Sequence, residues 1–213
     1  MAETITGLRA PGGEMSRAAA DLARSKVFEL IFNHSNRVYA FGALSGARHK
    51  IRFNPEILYV SAMFHQVGLT DVSGASALRF EIDAANEARI FLERFGVSRR
   101  IAQEVWDAIA LHTTPGIAAY KTAVVALLRR GVEADLIGAH LDDITDIQKH
   151  QVLAAYPRGI NFKERIIESF ALAMQKRSET TYGTVNADVL IGSPSGKQAK
   201  KIDAKAMLDY HTL

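Results

Sequence analysis

Three histidines and one aspartate stand at or beside the ends of apolar helical stripes, where their types and spacing could form a metal site. They are His34, His65 of the dipeptide His65-Gln66, His112 and Asp135. Because leaving a buried polar group unpaired costs about 1–3 kcal/mol, we expect these groups to compensate one another. Two imidazoles and one carboxylate are a sufficient donor set for Zn or Fe(II). Each histidine taken alone indicates only a hydrogen-bonded core residue, so both interpretations stay open.

The periodicity of apolar residues predicts the helices that position these side chains. Ser16 is the expected N-cap of a helix over 17–33, whose apolar stripe continues to His34. Asn54-Pro55 predicts the start of a helix over 55–66 that is apolar almost all round, as expected of a buried central helix. His65 and Gln66 are therefore expected at the inner end of that helix.

The rest of the chain also predicts helices and no strand. A loop over 70–78 precedes a helix that Gly96 ends, and Ser98 caps the helix whose stripe leads to His112. A break is expected at Gly131. The helices predicted downstream of the loop cover 80–95, 98–112, 117–130, 135–139, 146–155 and 162–176. Residues 180–201 predict a loop-rich extension, either a loosely packed tail or a segment that docks on a second subunit, before a short helix over 203–210.

Composition limits the classes of function. The chain has 213 residues, 48% of them hydrophobic, which is enough for a single domain with a full core. It has no cysteine, which excludes disulfides and thiolate ligands and fits the cytoplasm. The net charge of +3 is scattered, the apolar runs are short, and residues 1–13 lack an apolar signal core. We expect no nucleic-acid partner and no membrane segment.

Four short motifs occur in an order that resembles one metalloprotein family. They are Phe-Asn-His-Ser-Asn-Arg-Val-Tyr at 32–39, Arg-Phe-Glu at 79–81, Ala-Leu-His-Thr-Thr-Pro-Gly-Ile at 110–117 and Gly-Val-Glu-Ala-Asp at 131–135. With the His65-Gln66 dipeptide they resemble the HD-domain superfamily, in its cyanamide hydratase-like branch. The resemblance implies an all-α HD-type domain over 16–178, between an N-terminal arm (1–15) and a C-terminal extension (179–213). It also implies a divalent metal, commonly zinc, with Fe or Mn as alternatives, held by His34, His65 and Asp135.

The sequence departs from that family at Gln66, where the family has aspartate. A neutral amide oxygen is a poor zinc donor, and losing a carboxylate weakens attraction for a second cation. A mononuclear ion remains the first interpretation. The alternatives are a metal-free pocket that uses the histidines as hydrogen-bonding and acid–base groups, and a glutamine introduced to disable the site.

The resemblance implies a hydratase or hydrolase that adds water to a small nitrile-like molecule. The ion would lower the pKa of water towards about 7. His112 and Gln66 are the expected catalytic groups, and Phe64 is expected to join them in binding substrate. The alternative function is a metal-free enzyme or binding protein for a small organic ligand, with homo-oligomer formation left open. Nucleotide phosphohydrolysis is disfavoured by the missing carboxylate.

Overall fold

The described part of the chain folds into α-helices and short 3₁₀-helices. The computed structural model describes residues 5–8, 11–70 and 76–194. No strand occurs among these residues, which confirms the all-α fold class, and no helix there is long and apolar enough to cross a membrane. The helices are α1 (Glu14–Lys26), α2 (Glu29–Arg48), α3 (Pro55–Phe64), α4 (Phe80–Arg94), α5 (Arg99–Leu111), α6 (Ala123–Ile137), α7 (Asp146–Ala155), α8 (Phe162–Met174) and α9 (Val185–Gly192). The 3₁₀-helices are Val67–Thr70, Ala118–Tyr120, Leu141–Asp143 and Gln175–Thr181.

Helix α3 is the buried central helix that the sequence predicts. The Asn54 side chain caps it by accepting hydrogen bonds from the backbone N–H groups of Glu56 and Ile57, and Pro55 occupies the first helical position. The helix packs against α1, α2, α4, α5 and α6. It ends at Phe64, so His65 and Gln66 follow it as the chain turns into a 3₁₀-helix.

Helices α2 and α6 pack closely because glycines lie at their contact. A Cβ atom on Gly131 would lie 2.1 Å from the carbonyl oxygen of Val38, and one on Gly42 would lie 2.5 Å from that of Leu127. The predicted break at Gly131 is therefore wrong: glycine serves close backbone approach here, and α6 continues to Ile137. Gly138, whose φ of +74° is in the left-handed region, caps the C-terminus of α6. The predicted segment over 135–139 belongs largely to this same helix.

The single helix predicted over 17–33 is two helices, α1 and α2, and α2 continues well past the predicted end to Arg48. The chain is extended at Val27 and Phe28, and Val27 packs against two separate apolar clusters at this bend. Ser16 is not the N-cap either, because α1 begins two residues earlier and the Ser16 hydroxyl donates to Oε1 of Glu56 at 2.8 Å. Tertiary packing therefore overrides a run of helix-forming residues.

Elsewhere the boundaries agree within a few residues, with two further differences. The helix expected over 117–130 begins only at Ala123, after a 3₁₀ turn, and α9 lies inside the extension expected to be loop-rich. Helix α9 packs against α8, so this part of the extension is attached to the helical body. Residues 71–75 of the predicted loop and the predicted helix over 203–210 lie outside the described residues.

Candidate functional site

His34 of α2 and His65 after α3 face each other in the interior. Both rings are fully buried, and their Nε2 atoms lie 3.3 Å apart. Nδ1 of His65 donates to the carbonyl oxygen of Ala62 at 2.7 Å, and Nδ1 of His34 donates to Oδ2 of Asp135 at 2.7 Å. Because carbonyl and carboxylate oxygens only accept, each Nδ1 carries the proton and each Nε2 of the neutral ring carries a lone pair.

The charge states of the two rings leave these lone pairs unsatisfied. Burial lowers the pKa of His34 despite its hydrogen bond to Asp135. Burial, with the neighbouring rings of His112 and His34, lowers the pKa of His65 well below its ordinary value. At neutral pH both rings are therefore neutral, and two acceptors face each other. A shared cation satisfies both nitrogens at once.

The separation of the two nitrogens suits one metal ion. Zinc–nitrogen bonds of about 2.0–2.1 Å at a tetrahedral angle place two ligand nitrogens about 3.3–3.4 Å apart. The 3.3 Å between Nε2 of His34 and Nε2 of His65 agrees with that value. These two side chains therefore fit a single divalent ion without rearrangement.

Asp135 of α6 is engaged by cations of the protein itself. Its two carboxylate oxygens accept from Nε and Nη2 of Arg37 at 2.8 and 2.9 Å, and Oδ1 also accepts from Nη2 of Arg158 at 2.9 Å. Burial alone would raise the pKa of Asp135, but the hydrogen bonds from His34 and Arg37 outweigh it and hold the pKa well below its usual range. The carboxylate orients His34 and balances Arg37, in the manner of outer-shell carboxylates behind ligating histidines.

Of the three expected metal ligands, His34 and His65 present facing donor atoms. Within residues 5–8, 11–70 and 76–194, no three His, Asp or Glu side chains converge in a geometry that could hold a metal. Asp135, the third expected ligand, accepts a hydrogen bond from His34 beside the pair, and its role as a ligand stays a prediction.

Gln66 and His112 supply two buried acceptors without partners. Nδ1 of His112 donates to the carbonyl oxygen of Ile109 at 2.6 Å, so its Nε2 carries the lone pair. That Nε2 and Oε1 of Gln66 are buried and make no hydrogen bond. Burial lowers the pKa of His112 to about 4, so the ring is neutral at pH 7. Both groups are placed to accept hydrogen bonds from a ligand or water.

Gln66 and His112 line one cavity of about 480 Å³ between α6, α8 and α9. Asp135 and Arg158 also line it, and most of the remaining wall is apolar. Phe64 does not reach this space: its fully buried ring packs against Phe91 at 4.9 Å between centroids, in the main core. Phe64, which was expected to bind substrate, is therefore a core residue outside the lining of this cavity.

A polar network that the sequence patterns did not predict lies at the cavity wall next to His112. The buried Glu81 accepts hydrogen bonds from Thr113 and from Nδ2 of Asn186, the latter at 2.8 Å. Thr113 and Asn186 both line the cavity. Asn186 belongs to α9, so the C-terminal extension contributes directly to the site. The Arg-Phe-Glu motif was a signal for Glu81, and Arg37 lies one helical turn after His34, but nothing local indicated Arg158 or Asn186.

The comparisons with known proteins agree with this geometry at the level of the family. No curated protein matches the chain. The family model of the HD domain matches residues 31–206, well over half of the sequence, and this span contains the three histidines, Gln66 and Asp135. The chain belongs to the HD-domain family.

Proposed function

We propose that this HD domain is a hydratase of the cyanamide hydratase type, which adds water across a carbon–nitrogen multiple bond of a small molecule. In this reaction the water oxygen bonds to the carbon and both water protons end on nitrogen, so a nitrile gives a carboxamide without an oxidant or reductant. The observation that carries the proposal is the pair of facing nitrogens on His34 and His65. The pair does not itself line the cavity, but two of its direct neighbours do: Asp135, which is bonded to His34, and His112, whose ring lies 5.0 Å from that of His65.

A single divalent ion on the histidine pair would supply Lewis acidity, which acidifies water near pH 7 and polarises a substrate nitrogen. The protein's own groups orient the reactants. Asp135 holds His34 so that its Nε2 faces His65. His112 is neutral at pH 7, so its Nε2 accepts a proton or hydrogen bond from the attacking water, and Oε1 of Gln66 is a second acceptor.

Phosphohydrolysis, which is typical of metal-dependent HD domains, is less well supported by this site. Two metal ions bridging a phosphate need several carboxylates. Gln66 is neutral, and both oxygens of Asp135 bond to Arg37. We therefore propose a mononuclear rather than a dinuclear chemistry.

A metal-free enzyme or binding protein is the second candidate, and one observation favours it. Arg37 and Arg158 both form ion pairs with Asp135. These two guanidinium groups already neutralise the carboxylate that would attract a metal ion. In that case His112 and Gln66 bind the ligand by hydrogen bonding alone. The pocket and its acceptors are the same in both candidates.

Metal content and activity together separate these functions. Protein purified without chelator should contain about one Zn, Fe or Mn per chain, and it should hydrate cyanamide or a nitrile in an activity that chelator removes and metal restores. A His34→Gln variant should lose both properties. Hydration that survives exhaustive chelation would support the metal-free site, and phosphate release from nucleotides without any hydration would refute the hydratase.

A further inference from the structure

The cavity is much larger than the small head group that a hydratase would transform. Its volume is about 480 Å³. A molecule of three heavy atoms occupies about 100 Å³, taking roughly 30 Å³ for each water-sized group. Cyanamide alone would leave most of the space unfilled. Cavities of this size hold ligands with a substantial body.

Much of the cavity wall is apolar and comes from several elements. Side chains from α4, α8 and α9 form it, namely Phe80, Phe162, Ile166, Ile167, Phe170 and Val189. An apolar wall forms no hydrogen bonds with a ligand. It favours hydrocarbon groups, because these groups are removed from water when they bind. Each buried methylene should tighten binding about fourfold.

The polar end of the cavity favours a ligand that donates hydrogen bonds. His112 Nε2 and Gln66 Oε1 accept no hydrogen bond within the protein, and both are buried. Two further polar groups of the wall are engaged within the protein, because Thr113 and Asn186 donate to Glu81. A ligand that left the two acceptors unpaired would forfeit about 1–3 kcal/mol for each, or about tenfold or more in affinity.

We infer that the substrate is an apolar alkyl or aryl group joined to a small nitrogen head that carries N–H, such as a monosubstituted cyanamide. This inference rests on the proposed function and names its substrate class. The hydrocarbon body lies against the wall formed by α4, α8 and α9. The single N–H of the head donates to Gln66, which leaves His112 for the attacking water, and the N–H groups of the substituted urea that hydration produces donate to both acceptors. The head then lies against His112, whose ring is 5.0 Å from that of His65.

Calorimetric titration with alkylureas tests the binding part without requiring turnover. n-Hexylurea should bind about 60-fold more tightly than n-propylurea, because three further methylenes are buried. n-Hexyl acetate, which has a similar body but no N–H, should bind at least tenfold more weakly than n-hexylurea. Equal affinities for the propyl and hexyl ureas would overturn the inference, as would an ester that binds as well as the urea.

A matched pair of variants on α9 locates the binding. Val189 lines the cavity, whereas Ile191 is 62% exposed and does not. Val189→Trp should abolish the preference for n-hexylurea over n-propylurea, and Ile191→Trp should preserve it. Equal effects of the two would place the ligand elsewhere. The wild-type series decides the question alone if melting curves show that Val189→Trp fails to fold.

Hydration of n-hexylcyanamide separates this inference from the proposed function. Graded urea binding without hydration of any cyanamide would support the ligand class and refute the hydratase. Hydration of cyanamide without a higher kcat/KM for the alkylated substrate would support the hydratase and refute the ligand class. Hydration of n-hexylcyanamide with a higher kcat/KM than cyanamide is the result we expect.

Discussion

Replacing Asp135 by asparagine tests whether this carboxylate acts as a counter-ion or as a metal ligand. The side chains of Asp135 and Arg37 are both fully buried, and two hydrogen bonds join them. Asparagine keeps the size of the side chain but removes its charge. The Arg37 guanidinium then stays buried beside a neutral amide. Removing one partner of a buried ion pair costs about 3–5 kcal/mol, so we expect the free energy of unfolding to fall by that amount.

Urea denaturation at pH 7.5 with chelator present measures this loss. Asp143→Asn is the matched control, because Asp143 also pairs with an arginine, Arg130, but both side chains are partly exposed at 16% and 30%. Asp143 also accepts from Ser45 and His49, but each such partly exposed contact contributes only about 0–1 kcal/mol, so the control should lose clearly less than Asp135→Asn. If Asp135→Asn is too unstable to purify, Arg158→Gln should be folded and only slightly destabilised, since that arginine is 36% exposed.

The metal-ligand interpretation predicts a different pattern. In that case chelation alone would destabilise the wild type, and the chelated wild type and chelated Asp135→Asn would unfold at the same urea concentration. A loss below about 1 kcal/mol in chelator, or one no larger than that of Asp143→Asn, would refute the counter-ion argument. Such a result would support Asp135 as a metal ligand.

Three further predictions follow from the packing, the buried imidazole and the acceptor of the site. Gly131→Ala should lower the free energy of unfolding by about 2 kcal/mol or more in urea, because its Cβ would lie 2.1 Å from a backbone oxygen of α2; Gly192→Ala, with nothing within 4 Å, should change it little, and equal effects would contradict the packing argument. The pKa of His112 is about 4 in the folded protein against 6.5 unfolded, so the unfolded chain binds the proton first and stability is complete only above pH 6.5. Chelated wild type should therefore lose about 2 kcal/mol more than His112→Gln between pH 7.5 and 5, and parallel losses in urea would show that His112 is not the group responsible. Gln66→Asp should raise zinc affinity at least tenfold in competition with a chromophoric chelator, because a carboxylate replaces a neutral amide; an unchanged affinity would mean that position 66 does not face the ion.

Local sequence patterns predicted the elements well where burial follows a regular period. The cap at Asn54, the apolar surface of α3 and the limits of α7 agree with the structure. The stripes ending in His34 and His112 also carry these rings into the interior, where both are at most 1% exposed. Periodicity reports which face of a helix is buried, and these residues lie on such faces.

The misassigned elements depended on contacts between distant parts of the chain. Glycine is usually a helix breaker, but Gly131 lies inside α6 because the backbone of α2 packs directly against it. The bend at Val27 carries no glycine or proline, and α9 lies in a segment rich in turn residues. A single-sequence pattern contains no information about the neighbour that decides such cases.

The sequence by itself determined that three histidines, Gln66 and Asp135 are buried in an all-α domain, because hydrophobic periodicity and residue chemistry are local properties. Only the tertiary structure decided what these groups do to one another. It placed the nitrogens of His34 and His65 3.3 Å apart and turned Asp135 towards two arginines. Distances between helices decide which partner a charge receives, and in a buried site the partner determines whether a carboxylate is a ligand or a counter-ion.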